Sequence, residues 1–117
     1  MAIPSGSGTE VLKVSKLNPT NVAEQVLING VADHIYTVLS IITCNTVANP
    51  EAFSMFIKHQ GNPSAAFYLL ASQALAEKET FIWNDRIVLS GTDELVWVSD
   101  GACNIELVCS YIDQDWT

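Results

Sequence analysis

The stretch TFIWNDRIVLSGTDELVWVSDGACNIELVCSYI, residues 80–112, decides the fold class. Within it Phe81-Ile82-Trp83, Ile87-Val88-Leu89 and Leu95-Val96-Trp97-Val98 are short runs of the β-branched, aromatic and aliphatic residues that suit a pleated surface. Asn84-Asp85 and Ser90-Gly91-Thr92-Asp93 separate them as turns. Asp100-Gly101 is the strongest hairpin signal, since both positions accept the positive φ that a type I′ turn demands. Beyond it Cys103, Ile105, Leu107, Cys109 and Tyr111 alternate with Asn104, Glu106, Val108, Ser110 and Ile112, which predicts a last strand over 103–112 with one buried face.

Working back toward the N-terminus, the same pattern recurs. Residues 34–46 are rich in Ile, Val, Thr and Tyr and read as the longest strand, placed centrally. Phe53, Met55 and Ile57 alternate with Ser54, Phe56 and Lys58 in a fourth strand, and Gly61-Asn62-Pro63-Ser64 marks the turn to a fifth over 65–72. Strands are also expected over 9–16, alternating imperfectly, and 22–28, with Asn18-Pro19-Thr20-Asn21 and Asn29-Gly30 as turns. Only at 73–79, with Ala74, Leu75, Ala76, Glu77 and Lys78, does a short helix of a turn or two compete with a loop. Eight to nine strands with a turn roughly every ten residues predict an all-β, antiparallel β-sandwich or jelly-roll-like fold. Residues 1–8, with three Gly or Pro breakers, read as a flexible N-terminal arm, leaving 9–117 as a single domain.

At 117 residues the chain has room for one core. Its 13 Asp and Glu against five Lys and Arg give a net charge of −8, which excludes nucleic-acid binding through a basic patch. Charged residues are only 15% of the chain, where about 25% is usual, so uncharged polar side chains must cover the surface, which suits equally a protein packed against neighbours and an acidic, soluble β-domain with no partner. The opening residues have neither a basic n-region nor an apolar h-region, and the most apolar stretch, 35–44, is about half a membrane span. No membrane partner and synthesis in the cytoplasm are therefore expected.

The candidates for chemistry are sparse. His34 follows Asp33, but neighbours in a strand point to opposite faces, and His59 ends a strand beside Lys58, where solvation is the ordinary role. Asp113 and Asp115 could aim two carboxylates at a hard cation such as calcium, but the further oxygens of a loop motif are missing and a solvated acidic tail is the plainer reading. No connected acid, base and nucleophile can be assembled, so no enzyme, no cofactor and no metal are expected. Cys44, Cys103 and Cys109 lack C-x-x-C spacing and read as buried thiols, with one internal pair or an intermolecular bridge as alternatives. Trp83 and Trp97 fall in strands and need outlets for their indole N–H groups, whereas Trp116, near the chain end, docks on its own domain or on a neighbour.

Four segments carry a resemblance. Ile3-Pro4-Ser5-Gly6-Ser7-Gly8-Thr9-Glu10-Val11-Leu12-Lys13, His34-Ile35-Tyr36-Thr37-Val38-Leu39-Ser40-Ile41, Thr80-Phe81-Ile82-Trp83-Asn84-Asp85-Arg86-Ile87-Val88-Leu89 and Ser110-Tyr111-Ile112-Asp113-Gln114-Asp115-Trp116 resemble small virion structural proteins of tailed bacteriophages, notably aquatic and cyanobacterial phages. The resemblance spans nearly the whole chain, and its motifs are structural. It implies a head decoration (cement) protein, an oligomer on the outer virion surface that clamps capsid subunits, or alternatively a tail, neck or fibre-associated protein. A compact domain with a short arm and no shaft favours the first. On that reading the arm would order against a neighbour through Ile3, Pro4 and Val11, with Trp116 as a further contact, and Cys44 or Cys103 would link subunits by a disulfide. A carbohydrate-binding module, with Trp83, Trp97 or Trp116 stacked on sugar rings, is the non-viral alternative. Its requirement is an indole exposed on a flat face.

Overall fold

The computed structural model describes residues 8–59 and 65–116. The arm with Ile3 and Pro4, apart from Gly8, and the turn at Gly61-Asn62-Pro63-Ser64 lie outside them. Among the described residues nine strands run in order: β1 (Thr9–Leu17), β2 (Gln25–Asn29), β3 (His34–Asn45), β4 (Glu51–Lys58), β5 (Ala66–Leu75), β6 (Thr80–Trp83), β7 (Ile87–Ser90), β8 (Glu94–Ser99) and β9 (Ile105–Asp115). One sheet has the order β1-β9-β3-β6, with β7 also on β3, and the other the order β2-β8-β4-β5. β6 and β7 lie along opposite halves of β3, as two parts of one interrupted strand. Counted so, the fold is an antiparallel jelly roll of eight strands whose successive members alternate between sheets, save for the β4–β5 hairpin.

That topology corrects the reading of Asp100-Gly101. A hairpin there would pair β8 with β9, but β8 pairs with β2 and β4 while β9 pairs with β1 and β3. The dipeptide instead carries the chain from one sheet to the other. Asp100 N–H donates to Ala52 O of β4 at 2.9 Å, and Ser99 Oγ donates to Gly101 O at 2.7 Å. Asn29-Gly30 is a crossing of the same kind. Gly30 is needed there because a Cβ would lie 2.3 Å from Asp93 O and 2.4 Å from Gly91 O.

The helical turn expected over 73–79 does not form. Gln73, Ala74 and Leu75 extend β5 and pair with Phe53, Ala52 and Glu51, and Leu75 is fully buried, so tertiary burial overrides local propensity. The chain then turns through Lys78 at φ 59°, with Glu79 Oε1 accepting from Ala76 N–H at 2.8 Å. The second strand starts at Gln25 rather than at 22, because Asn21 Oδ1 accepts from Ala23 N–H at 2.9 Å and holds a turn there.

The core lies between the sheets around Trp97, Phe53, Met55, Ile41, Leu107 and Leu95, all essentially inaccessible. Phe53 stacks on Trp97 and meets Phe81 edge-on, both at 5.6 Å between centroids. β3 is central, as expected, and bulges at Leu39: Val38 pairs with Tyr111 and Ser40 with Ser110. The extra residue shifts the inward set from Tyr36 and Val38 to Ile41, Thr43 and Asn45.

Candidate assembly interface

Inward alternation along β9 turns Ile105, Leu107, Cys109, Tyr111 and Asp113 toward the core side, so Glu106, Val108, Ser110, Ile112 and Gln114 face out. The registers extend this outward face across the sheet. Leu12, Ile112, Thr37 and Val88 form one cross-strand row, and Lys16, Val108, Ile42 and Ile82 another. Leu12 is 75% exposed and Val88 62%, with Val14, Ile42 and Ile82 exposed as well. Leu12, Val14, Leu39 and Ser110 border a shallow hollow of about 370 Å³. The outward positions between these rows are aliphatic or hydroxyl; Glu10, Lys16 and Glu106 stand toward the ends, Lys13 also borders the hollow, and the exposed Asp85-Arg86 connection lies beside the middle of β3. Exposed aliphatic side chains set side by side in this way make this face the candidate contact surface.

At one end of the same sheet the inward side is polar. Asp113 of β9, 5% exposed, accepts from Lys13 Nζ of β1 and from His34 Nδ1 of β3, both at 2.7 Å, while His34 Nε2 lies 3.4 Å from Asp115 Oδ1. Burial pushes the Asp113 carboxyl up, but the hydrogen bonds from Lys13 and His34 outweigh it and hold the group below the ordinary aspartate value. Hydrogen bonding to Asp113 raises Lys13 in return, against desolvation. Asp113 is therefore a buried structural anion and not part of a solvated tail, and His34 meets the carboxylates of β9 rather than Asp33. Among the described residues no three His, Cys, Asp or Glu side chains are grouped to hold a metal ion. Sequence spacing gave no sign of this cluster, because Lys13 and His34 stand 100 and 79 residues from Asp113.

Val11 lies on the edge strand β1, 46% exposed. The Trp116 ring packs on Gly8 of its own domain, where a Cβ would come 2.8 Å from ring atom Cδ2, and the Trp116 backbone N–H donates to Asp33 O at 3.0 Å. Trp97 is wholly buried, Trp83 and Trp116 are half-buried, and Trp83 Nε1 donates to Asp85 O at 2.9 Å. None of the three indoles is an exposed flat platform, so the carbohydrate-binding alternative loses the feature it required. The three cysteines are free thiols. Cys44 and Cys103 are half-buried and Cys109 is buried, its thiol pushed up to about 12 by desolvation.

No family model matches the sequence, and no curated protein does. Solved structures do match its fold. A subunit of Bacillus endospore appendages, a family of disulfide-linked pili, aligns over 100% of this chain and 97% of its own at 12% identity and a TM-score of 0.58. A chain of the infectious bursal disease virus Gx strain aligns over 95% of this chain at 12% identity and a TM-score of 0.57, but this chain spans only 34% of it. The capsid of Helicobacter pylori bacteriophage KHP30 supplies a third, at 12% identity and a TM-score of 0.52, covering 92% and 93% of the two chains. The likeness is one of fold.

Proposed function

We propose that this chain is a non-enzymatic virion structural protein of a tailed bacteriophage, and within that class a capsid decoration (cement) protein seated on the outer head surface. The observation that carries the reading is the outward face of the β1-β9-β3 sheet, where Leu12, Val14 and Ile42 leave aliphatic side chains exposed beside Ile82 and Val88. A side chain such as Leu12 or Ile82 contributes roughly 1.5–3 kcal/mol when fully withdrawn from water, so a few of them seated on a capsid subunit make a stable contact. The shared fold of a phage capsid chain and of a virus chain supports the class, and the sequence resemblance supports the phage and its tailed, aquatic kind.

Around that face, residues 1–8 act as a docking arm through Ile3 and Pro4, Val11 on the adjoining edge strand β1 adds a contact, Trp116 extends the surface beside Gly8, and the half-buried Cys44 or Cys103 is the thiol available to link subunits. Mass spectrometry of purified particles tests the placement. Copies in the hundreds per virion support the head surface, a few to tens support the tail or neck, and absence from particles rejects both.

A further inference from the structure

The end of the sandwich opposite the His34–Asp113 cluster holds a cleft of about 460 Å³. It lies at the Asn45 end of β3, since Asn45 Nδ2 donates to Ala76 O, in the cleft wall, at 3.2 Å. β5 and β6 are edge strands of the two sheets, and the cleft opens where the end of one meets the start of the other. Pro50, Ala74 and Phe81 give it apolar walls, with the buried Leu75 beneath. The half-buried Phe81 ring is held edge-on by Phe53 at 5.6 Å, so its position is set before anything binds.

Two carboxylates share the cleft. Glu51 begins β4, and Glu79 stands in the turn after β5, where its Oε1 accepts from Ala76 N–H at 2.8 Å. That bond fixes the Glu79 side chain while its second oxygen keeps the capacity to accept. Neither glutamate forms an ion pair with a described lysine, arginine or histidine. Lys78, beside Glu79 in the chain, donates from Nζ to Thr46 O at 2.9 Å instead. A cleft that joins apolar walls to two carboxylates without a cation is complementary to a positive charge carried on an apolar stem.

We propose that the cleft receives an arginine side chain from an exposed loop of a partner protein. The methylene stem packs on Pro50 and Ala74, the guanidinium faces the Phe81 ring, and its N–H groups donate to Glu51 and Glu79. Arginine suits the cleft better than lysine. Its planar fork of donors serves carboxylates from two elements at once, and it is more weakly hydrated than an ammonium. The net charge of −8 draws a basic partner toward the chain. Leu12, Val14 and Ile82 do not line the cleft, so the proposal does not depend on the virion reading.

The test is an NMR titration of the isotope-labelled chain with a blocked glycine-arginine-glycine peptide, beside peptides carrying lysine or citrulline in place of arginine. The arginine peptide should give saturable shifts at the amides of Ala74, Ala76 and Phe81, with a Kd of about 1–10 mM that weakens as salt rises. The lysine peptide should bind at least about threefold more weakly, and the uncharged citrulline peptide should not saturate. Glu51→Gln and Glu79→Gln should each weaken binding at least about threefold. Both variants should melt like the parent, because Glu79→Gln still offers Ala76 N–H an oxygen and Glu51 is only half-buried. Equal binding of the lysine or citrulline peptide, unchanged affinity in either variant, or shifts confined to residues outside the cleft overturns the proposal. So do the same shifts arising when the chain alone is concentrated and vanishing in Arg86→Gln, since the occupant would then be a second copy.

Discussion

His34 Nδ1 and Asp113 Oδ1 stand 2.7 Å apart, tying the first residue of β3 to the C-terminal end of β9 at a site where Asp113 is all but inaccessible. With Lys13 on its other oxygen, this carboxylate joins the three strands that carry the outward apolar face. The geometry of one end of that face therefore depends on a buried charge.

The pH dependence follows from that charge. Asp113 lies below its ordinary value of 3.8, so its contribution to stability is full above that value and is lost as pH falls through the lower folded value. Lys13, raised above 10.5, contributes fully below that value and loses its share as pH climbs past it. Asp113→Asn should lower stability at neutral pH by about 1–3 kcal/mol and flatten the acid limb of a chemical-denaturation series. An unchanged acid limb would remove Asp113 as its cause.

Gly30→Ala places a Cβ against two backbone carbonyls, Asp93 O and Gly91 O, which cannot rotate away as a side chain would. Overpacking of this sort costs about 1–3 kcal/mol, and thermal unfolding should show the loss. A melting temperature equal to the parent's would mean that the β2–β3 and β7–β8 connections yield more easily than their close approach implies.

Thiol labelling separates the cysteines. In the native chain Cys44 and Cys103 should react with a maleimide while Cys109, buried and with its thiol held at about 12, is labelled only after denaturation. Non-reducing gels of purified particles should show a covalent dimer that vanishes in Cys44→Ser or Cys103→Ser. Monomer alone rejects the subunit bridge.

Leu12→Lys and Ile82→Lys alter exposed side chains, so folding stability should change by no more than about 0.5 kcal/mol. Their retention on particles, compared by quantitative blotting, should fall at least about tenfold if the sheet face is the docking surface. Full retention moves the contact elsewhere.

Removing residues 2–8 tests the arm separately. Ordering those residues costs roughly 1–2 kcal/mol each, so a docking arm is one whose contacts exceed that sum. Occupancy on particles should drop for the shortened chain, and unchanged occupancy rejects an arm contribution.

Strand content was legible in the sequence wherever burial is local. On β9 the alternation of Ile105, Leu107 and Cys109 with Glu106, Val108 and Ser110 reports one inward face, and β3 stood out by its β-branched composition. On β1 the alternation is weak because an edge strand at an open side exposes both faces. β3 hides a change of phase at Leu39, since a bulge adds a residue without a signature in composition.

The amino-acid sequence by itself determined that this chain is built mainly of strands and that it is acidic, with a net charge of −8. Only the tertiary structure decided which sheet each strand joins. Asp100-Gly101 has the composition of a hairpin, yet it links two sheets, because burial of Trp97 and of Ile105, Leu107 and Cys109 on opposite sides of one core outweighs the preference of a two-residue turn. Tertiary structure also decided the company of Asp113, whose partners Lys13 and His34 come from strands far apart in the chain, which no spacing between neighbours encodes.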